Sequence, residues 1–228
     1  MANIAGGGRL ERWARYAPLT GVAAVVFWIV GFFLFVSSEV EGADGAAEIL
    51  AGYESEEDKI LFAGWIFVLG GVLFLWFLGS LRTHLLAAEG LPARLTAIAF
   101  GAGIATAVFL ITLPLGDMTA ALADDLEPAA AQALNEVGTA GFIGAEFSAI
   151  ALVVATALVI LRTGALPRWL AWVSLVLALW LLIAPIGWLG LIFGFPVWVL
   201  IVSVLLYGRG DAPSEPAVAA ERRAVDAA

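Results

Sequence analysis

Stretches of apolar residues, each about as long as a bilayer is thick, alternate with polar segments along the chain. A helix needs roughly 20 predominantly apolar residues to cross a hydrocarbon core of about 30 Å. Six stretches approach or meet this requirement, covering residues 17–36, 60–81, 95–116, 141–161, 169–185 and 188–207. The pattern predicts an all-α integral membrane protein with six transmembrane helices, in one membrane domain over residues 16–208.

The boundary between the last two stretches depends on a proline and a glycine. Residues 169–207 carry no charge, and about 39 residues is too long for one crossing but suits two. Proline and glycine together interrupt a helix. We therefore place the break near Pro185 and Gly187.

The two longest polar segments inside the membrane domain are acidic. Residues 39–58 are rich in Asp and Glu, and residues 117–140 contain acids but no Lys or Arg. Pro128 opens an alanine-rich run in the second segment, and proline suits the first turn of a helix. We expect a short helix in this loop before the fourth span.

The basic residues fall on alternate polar segments. With a cytoplasmic amino terminus, all ten arginines lie inside and Lys59 alone lies outside. Loops that stay in the cytoplasm carry an excess of Lys and Arg. The pattern predicts a multi-pass protein of the inner (plasma) membrane with a cytoplasmic basic segment, residues 1–15, and a cytoplasmic tail, residues 209–228.

The first apolar stretch is also open to interpretation as a signal peptide. It has about 20 residues, against 7 to 15 in the apolar region of a secretory signal, and no small-x-small cleavage site follows at residues 37–39. We therefore interpret it as an uncleaved span.

Composition agrees with a membrane protein and excludes several kinds of chemistry. The chain is 62% hydrophobic and 14% charged, where a soluble domain has roughly 25% charged residues. It has no cysteine and one histidine, His84, which we expect to be solvated in a polar loop; neither a cysteine nucleophile nor a multi-histidine metal site is available. Metalloprotease, nucleophile-elbow and phosphate-loop motifs are also missing. We predict no enzyme activity, no catalytic residue, no cofactor or metal, and no nucleic-acid partner.

Small residues spaced four apart predict which helices approach closely, because they let helix backbones meet within lipid. The third span carries Ala97, Gly101 and Ala105 beside Ala99, Gly103 and Ala107, and the fourth carries Ala140, Gly144 and Ser148 beside Gly141, Ala145 and Ala149. We expect these two spans to form the inner pair. The tryptophans of the last two spans, Trp169, Trp172, Trp180, Trp188 and Trp198, are expected to face lipid and its interfaces.

Two parts of the chain share short phrases. Residues 81–83 and 161–163 both read LRT, and residues 110–116 (LITLPLG) are echoed by residues 181–187 (LLIAPIG). One interpretation is a parallel repeat of helical hairpins, a symmetry seen in transporters. The other is chance reuse of boundary sequences in an alanine- and leucine-rich chain.

Glu146 is the only Asp, Glu, Lys, Arg or His inside any of the six stretches. An ionisable group in hydrocarbon is expensive, so it marks a candidate site for binding or coupling a proton or cation. The alternative is an acid near a water-filled vestibule, or one that makes a helix-to-helix hydrogen bond. The partners expected on other segments are Lys59, Thr112, Ser37, Ser38 and Asp117. Asp117 also has a plainer interpretation as a loop residue at a helix end.

The carboxyl-terminal quarter resembles a known group of proteins. Residues 166–172 (LPRWLAW), the pair Gly187 and Trp188, and residues 195–200 (FPVWVL) are similar to phrases in small multi-span inner-membrane proteins of high-GC bacteria, a family of unknown function. The resemblance implies a bacterial inner-membrane protein of about six spans and assigns no activity.

Two functional hypotheses follow from the sequence. The first is a non-enzymatic membrane protein that acts by packing with the lipid bilayer, other membrane proteins or copies of itself. The second is a small cation- or proton-coupled transporter or channel that uses Glu146.

Overall fold

A computed structural model describes residues 15–40, 43, 45–183 and 186–209, and within these residues all regular structure is helical. The helices are α1 (Thr20–Val36, preceded by the 3₁₀ turn Ala17–Leu19), α2 (Ala46–Ser55), α3 (Glu57–Glu89), α4 (Arg94–Thr112), α5 (Leu115–Ala121), α6 (Pro128–Thr163), α7 (Arg168–Leu182) and α8 (Gly187–Arg209). Most of the predicted segment 1–15, the tail beyond Arg209, and Pro185 lie outside the described residues.

Five helical stretches in the described part of the chain are long and apolar enough to cross a membrane. They are Ala17–Val36, Glu57–Glu89, Arg94–Ala121, Pro128–Thr163 and Gly187–Arg209. The predicted span at residues 169–185 appears as α7, which has 15 residues and is therefore about 22 Å long. This is shorter than a hydrocarbon core of about 30 Å, so α7 does not meet the length expected of a sixth span.

Two helices extend well past the spans predicted for them. Helix α3 continues to Glu89, because residues 82–89 include good helix formers and Leu85 is buried in the core. The predicted loop at residues 82–94 is reduced to residues 90–93. Helix α6 begins at Pro128, as expected, but it runs without interruption to Thr163, so the short helix expected before the fourth span is the first part of that span.

The predicted inner pair does pack together, through one face of each helix. A Cβ on Gly141 of α6 would lie 3.3 Å from Cα of Leu113, just after α4, and one on Gly144 would lie 2.5 Å from the Phe109 ring. Thr106 donates a hydrogen bond to Ser148 Oγ across the same interface, at 3.0 Å. The expectation for the stripe through Gly101 was wrong, since Gly101 is exposed and has open space beside it.

The tryptophan prediction is correct in part. Trp169, Trp172 and Trp188 are exposed on the surface of the bundle. Trp198 is instead only 1% exposed and donates a hydrogen bond of 2.8 Å to Ser174 Oγ, which joins α8 to α7. Its ring belongs to the core, where it stacks beside Phe195.

At one end of the bundle, here called the acidic end, the described residues of 37–59 and 115–136 pack together as a small cap. Helix α2, helix α5, the segment before α2 and the first turns of α3 and α6 form a second core whose buried residues are Val40, Ile49, Tyr53, Ile60, Ala120 and Ala131. Lys59 closes this end by donating hydrogen bonds to the Ser37 carbonyl at 2.5 Å and to Glu56 Oε1 at 2.9 Å. The hydrogen bond from Lys59 lowers the pKa of Glu56.

The opposite end, here called the basic end, carries Arg15, Arg82, Arg94, Arg162, Arg168 and Arg209. Glu89 caps the start of α4 by accepting hydrogen bonds from the backbone N–H groups of Leu95 and Thr96. His84 is half-buried, with Nε2 3.0 Å from the Ala165 carbonyl, so the expectation of a solvated histidine was wrong. The ring ties α3 to the loop between α6 and α7.

The two echoed phrases have similar local structures. Helix α4 ends at Thr112 and a helix resumes at Leu115, whereas α7 ends at Leu182 and a helix resumes at Gly187. In both places, the helix is therefore interrupted inside the echoed sequence. The parallel repeat of whole hairpins stays a prediction.

Candidate functional site

A wedge-shaped groove opens between α1 and α8. The two helices touch towards the basic end, where a Cβ on Gly21 would overlap Ser203 Oγ, and the rings of Trp28 and Phe195 lie 6.4 Å apart. Beyond this contact, towards the acidic end, the helices separate. The space between them has a volume of about 580 Å³.

The walls and floor of this groove are mainly apolar and aromatic. One wall is α1 from residue 25 to residue 36, and the other is α8 from residue 188 to residue 200. Leu110, Leu113 and Phe142 contribute to the floor, between the walls. Phe33 and Val197 line the groove and are more than half exposed, which shows that it opens sideways at the surface of the bundle.

The end of the groove nearest the cap is polar. Asp117 and Asn135 line it there, and Thr139 follows one helical turn along α6. Asp117 is 5% exposed, and its Oδ1 accepts hydrogen bonds from the Tyr53 hydroxyl at 2.6 Å and from Asn135 Nδ2 at 3.1 Å. One carboxylate therefore joins α2, α5 and α6 at the mouth of the groove.

Tyr53 acts in this cluster as a neutral hydrogen-bond donor. Its side chain is buried, and burial, together with the neighbouring Asp117, raises the pKa of the Tyr53 hydroxyl well above its usual value. The hydroxyl thus keeps its proton over the physiological pH range and holds Asp117 in place.

Charge around this end of the groove is almost entirely negative. The described residues of the acidic end include 11 acids and a single base, Lys59. Lys59 is already hydrogen-bonded to Glu56 and to the Ser37 carbonyl. A cluster of negative charges attracts cations and repels anions.

Glu146 lies on α6 and meets the interruption between α7 and α8. A Cβ on Gly187 would overlap Glu146 Oε1 and would lie 2.6 Å from the Leu181 carbonyl oxygen. The close approach thus requires a glycine at position 187. Oε1 is fully buried and has no hydrogen-bond partner among the described residues.

None of the partners expected for Glu146 forms a hydrogen bond with its buried Oε1 in the described part of the chain. Thr112 donates to the Val108 carbonyl of its own helix, Lys59 binds at the end of α1, and Asp117 belongs to the cluster with Tyr53. Ser37 donates to the Leu34 carbonyl, while the hydroxyl of Ser38 is buried without a partner among the described residues.

Glu146 and the groove lie on the same side of α6 but at different depths. Asn135, Thr139 and Phe142 line the groove, and Glu146 follows Phe142 by one helical turn without being part of the lining. Eleven residues separate Asn135 from Glu146, a rise of about 16 Å. The polar mouth and Glu146 are therefore two distinct features.

Tyr53 and Asn135 were not predicted as site residues from the sequence. Helical spacing back from the buried small residues Gly141, Ala145 and Ala149 of α6 reaches positions 138, 134 and 131 rather than 135, so it gives no signal for Asn135. Tyr53 has no sequence signal either, because its position depends on how α2 folds back over the bundle.

Comparison with family models, curated proteins and solved structures finds no match for this chain.

Proposed function

We propose that the chain crosses the membrane six times, with the acidic end outside and both termini in the cytoplasm of a bacterial cell. The arginines at the basic end support this orientation under the positive-inside rule. Helix α7 supplies about 22 Å of the fifth crossing.

We propose that this protein acts without catalysis, by binding membrane components, and that its ligand is a lipid held in the groove. The observation that carries the proposal is the apolar groove of about 580 Å³ that opens sideways between α1 and α8. Ligand pockets have volumes of about 300 to 1,000 Å³ and are mostly apolar with a few polar groups. In a membrane protein, a lateral opening of this kind faces lipid.

The dimensions of the groove suit one leaflet of a bilayer. Asn135 and Arg162 are 27 residues apart on α6, about 40 Å, which matches the thickness of a bilayer with its head-group layers. The groove wall on α1 spans residues 25–36, a rise of about 16 Å, or about half of a 30 Å hydrocarbon core. A lipid chain from the leaflet at the acidic end fills this length.

Blocking the groove tests the proposal. Ile29 and Val197 line opposite walls and are exposed, so Ile29→Trp with Val197→Trp fills the space between them. We expect the protein purified from membranes to retain lipid in native mass spectrometry, and the double variant to lose it.

Matched controls exist on the same two helices. Val26 and Val204 are 52% and 58% exposed and lie outside the groove, so Val26→Trp with Val204→Trp adds the same bulk elsewhere. We expect this variant to retain lipid like the wild type. Equal lipid content in all three proteins contradicts binding in the groove.

A proton- or cation-coupled transporter is a second candidate, favoured by the buried oxygen of Glu146 at an interrupted helix. Transporters place binding sites near the middle of the membrane, where interrupted helices expose backbone groups. We expect wild-type protein in liposomes to pass protons or monovalent cations, and Glu146→Gln to abolish the flux. Glu136→Gln, at an exposed acid of the cap, serves as the control for charge. No flux in the wild type contradicts this second candidate.

A further inference from the structure

Resting on the proposed lipid binding, we propose that the groove holds one acyl chain of a membrane lipid, methyl end first, and selects chains of about 12 to 14 carbons by its length. The groove is polar at one end, where Asn135 and Thr139 line it. At the other end, here called the closed end, Val25 and Leu200 are the last lining residues on their helices. A lipid with a polar head therefore places its tail towards the closed end.

Contacts between α1 and α8 shut the groove just past the closed end. One helical turn further, a Cβ on Gly21 would overlap Ser203 Oγ and would lie 2.7 Å from the ring of Phe77 on α3. Nearer the basic end, the rings of Tyr16 and Tyr207 stack with their centroids 6.0 Å apart. Within the described residues, an acyl chain therefore finds no continuing path between the two helices.

Aromatic rings form the floor of the groove close to this end. The ring centroid of Phe74 on α3 lies 5.3 Å from that of Trp28 and 5.7 Å from that of Phe195. Trp28 and Phe195 line the groove, and all three side chains are at most 4% exposed. Packed interiors resist displacement, so the end of a lipid chain stops at these rings instead of passing inwards.

The length of the groove sets the preferred length of the chain. The wall on α1, residues 25–36, rises about 16 Å. Carbon–carbon single bonds of about 1.52 Å give an extended chain an advance of about 1.25 Å per carbon, so the wall matches about 13 carbons. A shorter chain leaves wall atoms without contacts, and a longer one must turn out through the sideways opening. Because lipid tails are as apolar as the groove, this fit decides the preference.

A competition among chain lengths tests the inference with the full chain. We would offer the protein in detergent an equimolar series of choline phospholipids with two identical chains of about 10 to about 18 carbons, which bracket the groove. Native mass spectrometry identifies the bound lipid by its mass. The Ile29→Trp, Val197→Trp variant, whose groove is filled, measures the lipid bound elsewhere on the surface. Relative to that variant, we expect the wild type to be enriched about fivefold in chains of about 12 to 14 carbons over the longest chains.

Leu200→Trp assigns the length limit to the closed end. Leu200 is half-buried and lines the groove there, so the larger ring fills the last helical turn. A turn is about 5.4 Å long, and we therefore expect the preferred chain to shorten by about four carbons.

Val204→Trp is the matched control, because it adds a comparable bulk one turn further along α8, at an exposed position outside the groove. We expect this variant to keep the wild-type preference. If Leu200→Trp does not yield a monodisperse protein, the wild-type series compared with the filled-groove variant still decides the inference.

The outcomes separate this inference from the function on which it rests. A lipid that the Ile29→Trp, Val197→Trp variant loses, but whose enrichment is independent of chain length or still rises to the longest chains, overturns the inference and leaves lipid binding intact. A folded Leu200→Trp protein with the wild-type preference also overturns it. A wild-type protein that retains no lipid overturns both.

Discussion

At the scale of single residues, Glu146 has an environment that opposes a carboxylate. Its Oε1 is fully buried and unpaired among the described residues, in contact with a glycine at an interrupted helix. A buried polar group without a partner costs about 1 to 3 kcal/mol of stability. Natural proteins retain destabilising groups of this kind where function requires them.

Replacing Glu146 by an apolar side chain of similar size should therefore not weaken the fold. We expect Glu146→Met to be neutral or to stabilise the protein by about 1 kcal/mol, because it removes an unpaired polar atom and keeps the volume. Thermal unfolding in detergent measures the change. A loss of more than about 1 kcal/mol would instead mean that this carboxylate has a stabilising partner.

Gly187 should tolerate no side chain at all. We expect Gly187→Ala to cost about 1 to 3 kcal/mol, because its Cβ would overlap Glu146 Oε1 and lie 2.6 Å from a backbone oxygen. Gly101→Ala is the control, since Gly101 lies within α4 with open space beside it, and alanine there should stabilise by up to about 1 kcal/mol. Melting temperatures of the two variants that shift in the same direction would refute this description of the contact.

At the scale of helices, α7 and α8 are joined by a buried polar pair. Trp198 donates to Ser174 Oγ, and Ser174 in turn donates to the Leu170 carbonyl of its own helix. The glycines Gly190 and Gly194 bring the same two helices close, against Leu181 and Leu177. Close approach and the hydrogen bond together explain why Trp198 is in the core.

Removing the acceptor should destabilise this helix pair. We expect Ser174→Ala to lower stability by about 1 to 3 kcal/mol, because it leaves the Trp198 N–H buried without a partner. Ser203→Ala is a matched control: Ser203 is equally buried, but its hydroxyl bonds only to the Val199 carbonyl one turn back. Chemical or thermal unfolding of both variants checks the difference, which should disappear in a Trp198→Phe background.

The helices were more predictable from the sequence than their contacts. Apolar length located five helices that are long and apolar enough to cross a membrane, and Pro128 located the start of α6. Helix ends such as Glu89 were missed because the helices continue beyond the apolar residues. The inward position of Trp198 was missed because a tryptophan suits both lipid and a helix interface, and only its partner Ser174 decides between them.

The candidate site was likewise predictable only in part. Residues that stand out in their own stretch of sequence were found, whereas a feature formed by residues far apart in the chain was not. Glu146 and Asp117 were predicted as candidates because acids in or beside apolar stretches stand out in a sequence. The groove was not predicted, since it arises where α1 and α8 separate beyond the close contact between Gly21 and Ser203. Residues far apart in the chain set this geometry, so no local pattern reports it.

At the scale of the whole molecule, the charges divide between two ends in a way that predicts orientation. The chain has no cysteine, so single-cysteine variants report their own position without background labelling. Glu54→Cys and Asp124→Cys place a thiol at exposed positions of the acidic end, whereas Leu91→Cys and Thr163→Cys do so at the basic end.

In intact bacterial cells, we expect a membrane-impermeant maleimide to label the first two variants and to spare the others until the membrane is permeabilised. The positive-inside rule requires this result if the arginines mark the cytoplasmic side. Labelling of Leu91→Cys in intact cells would reverse the orientation and would place the mouth of the groove in the cytoplasmic leaflet.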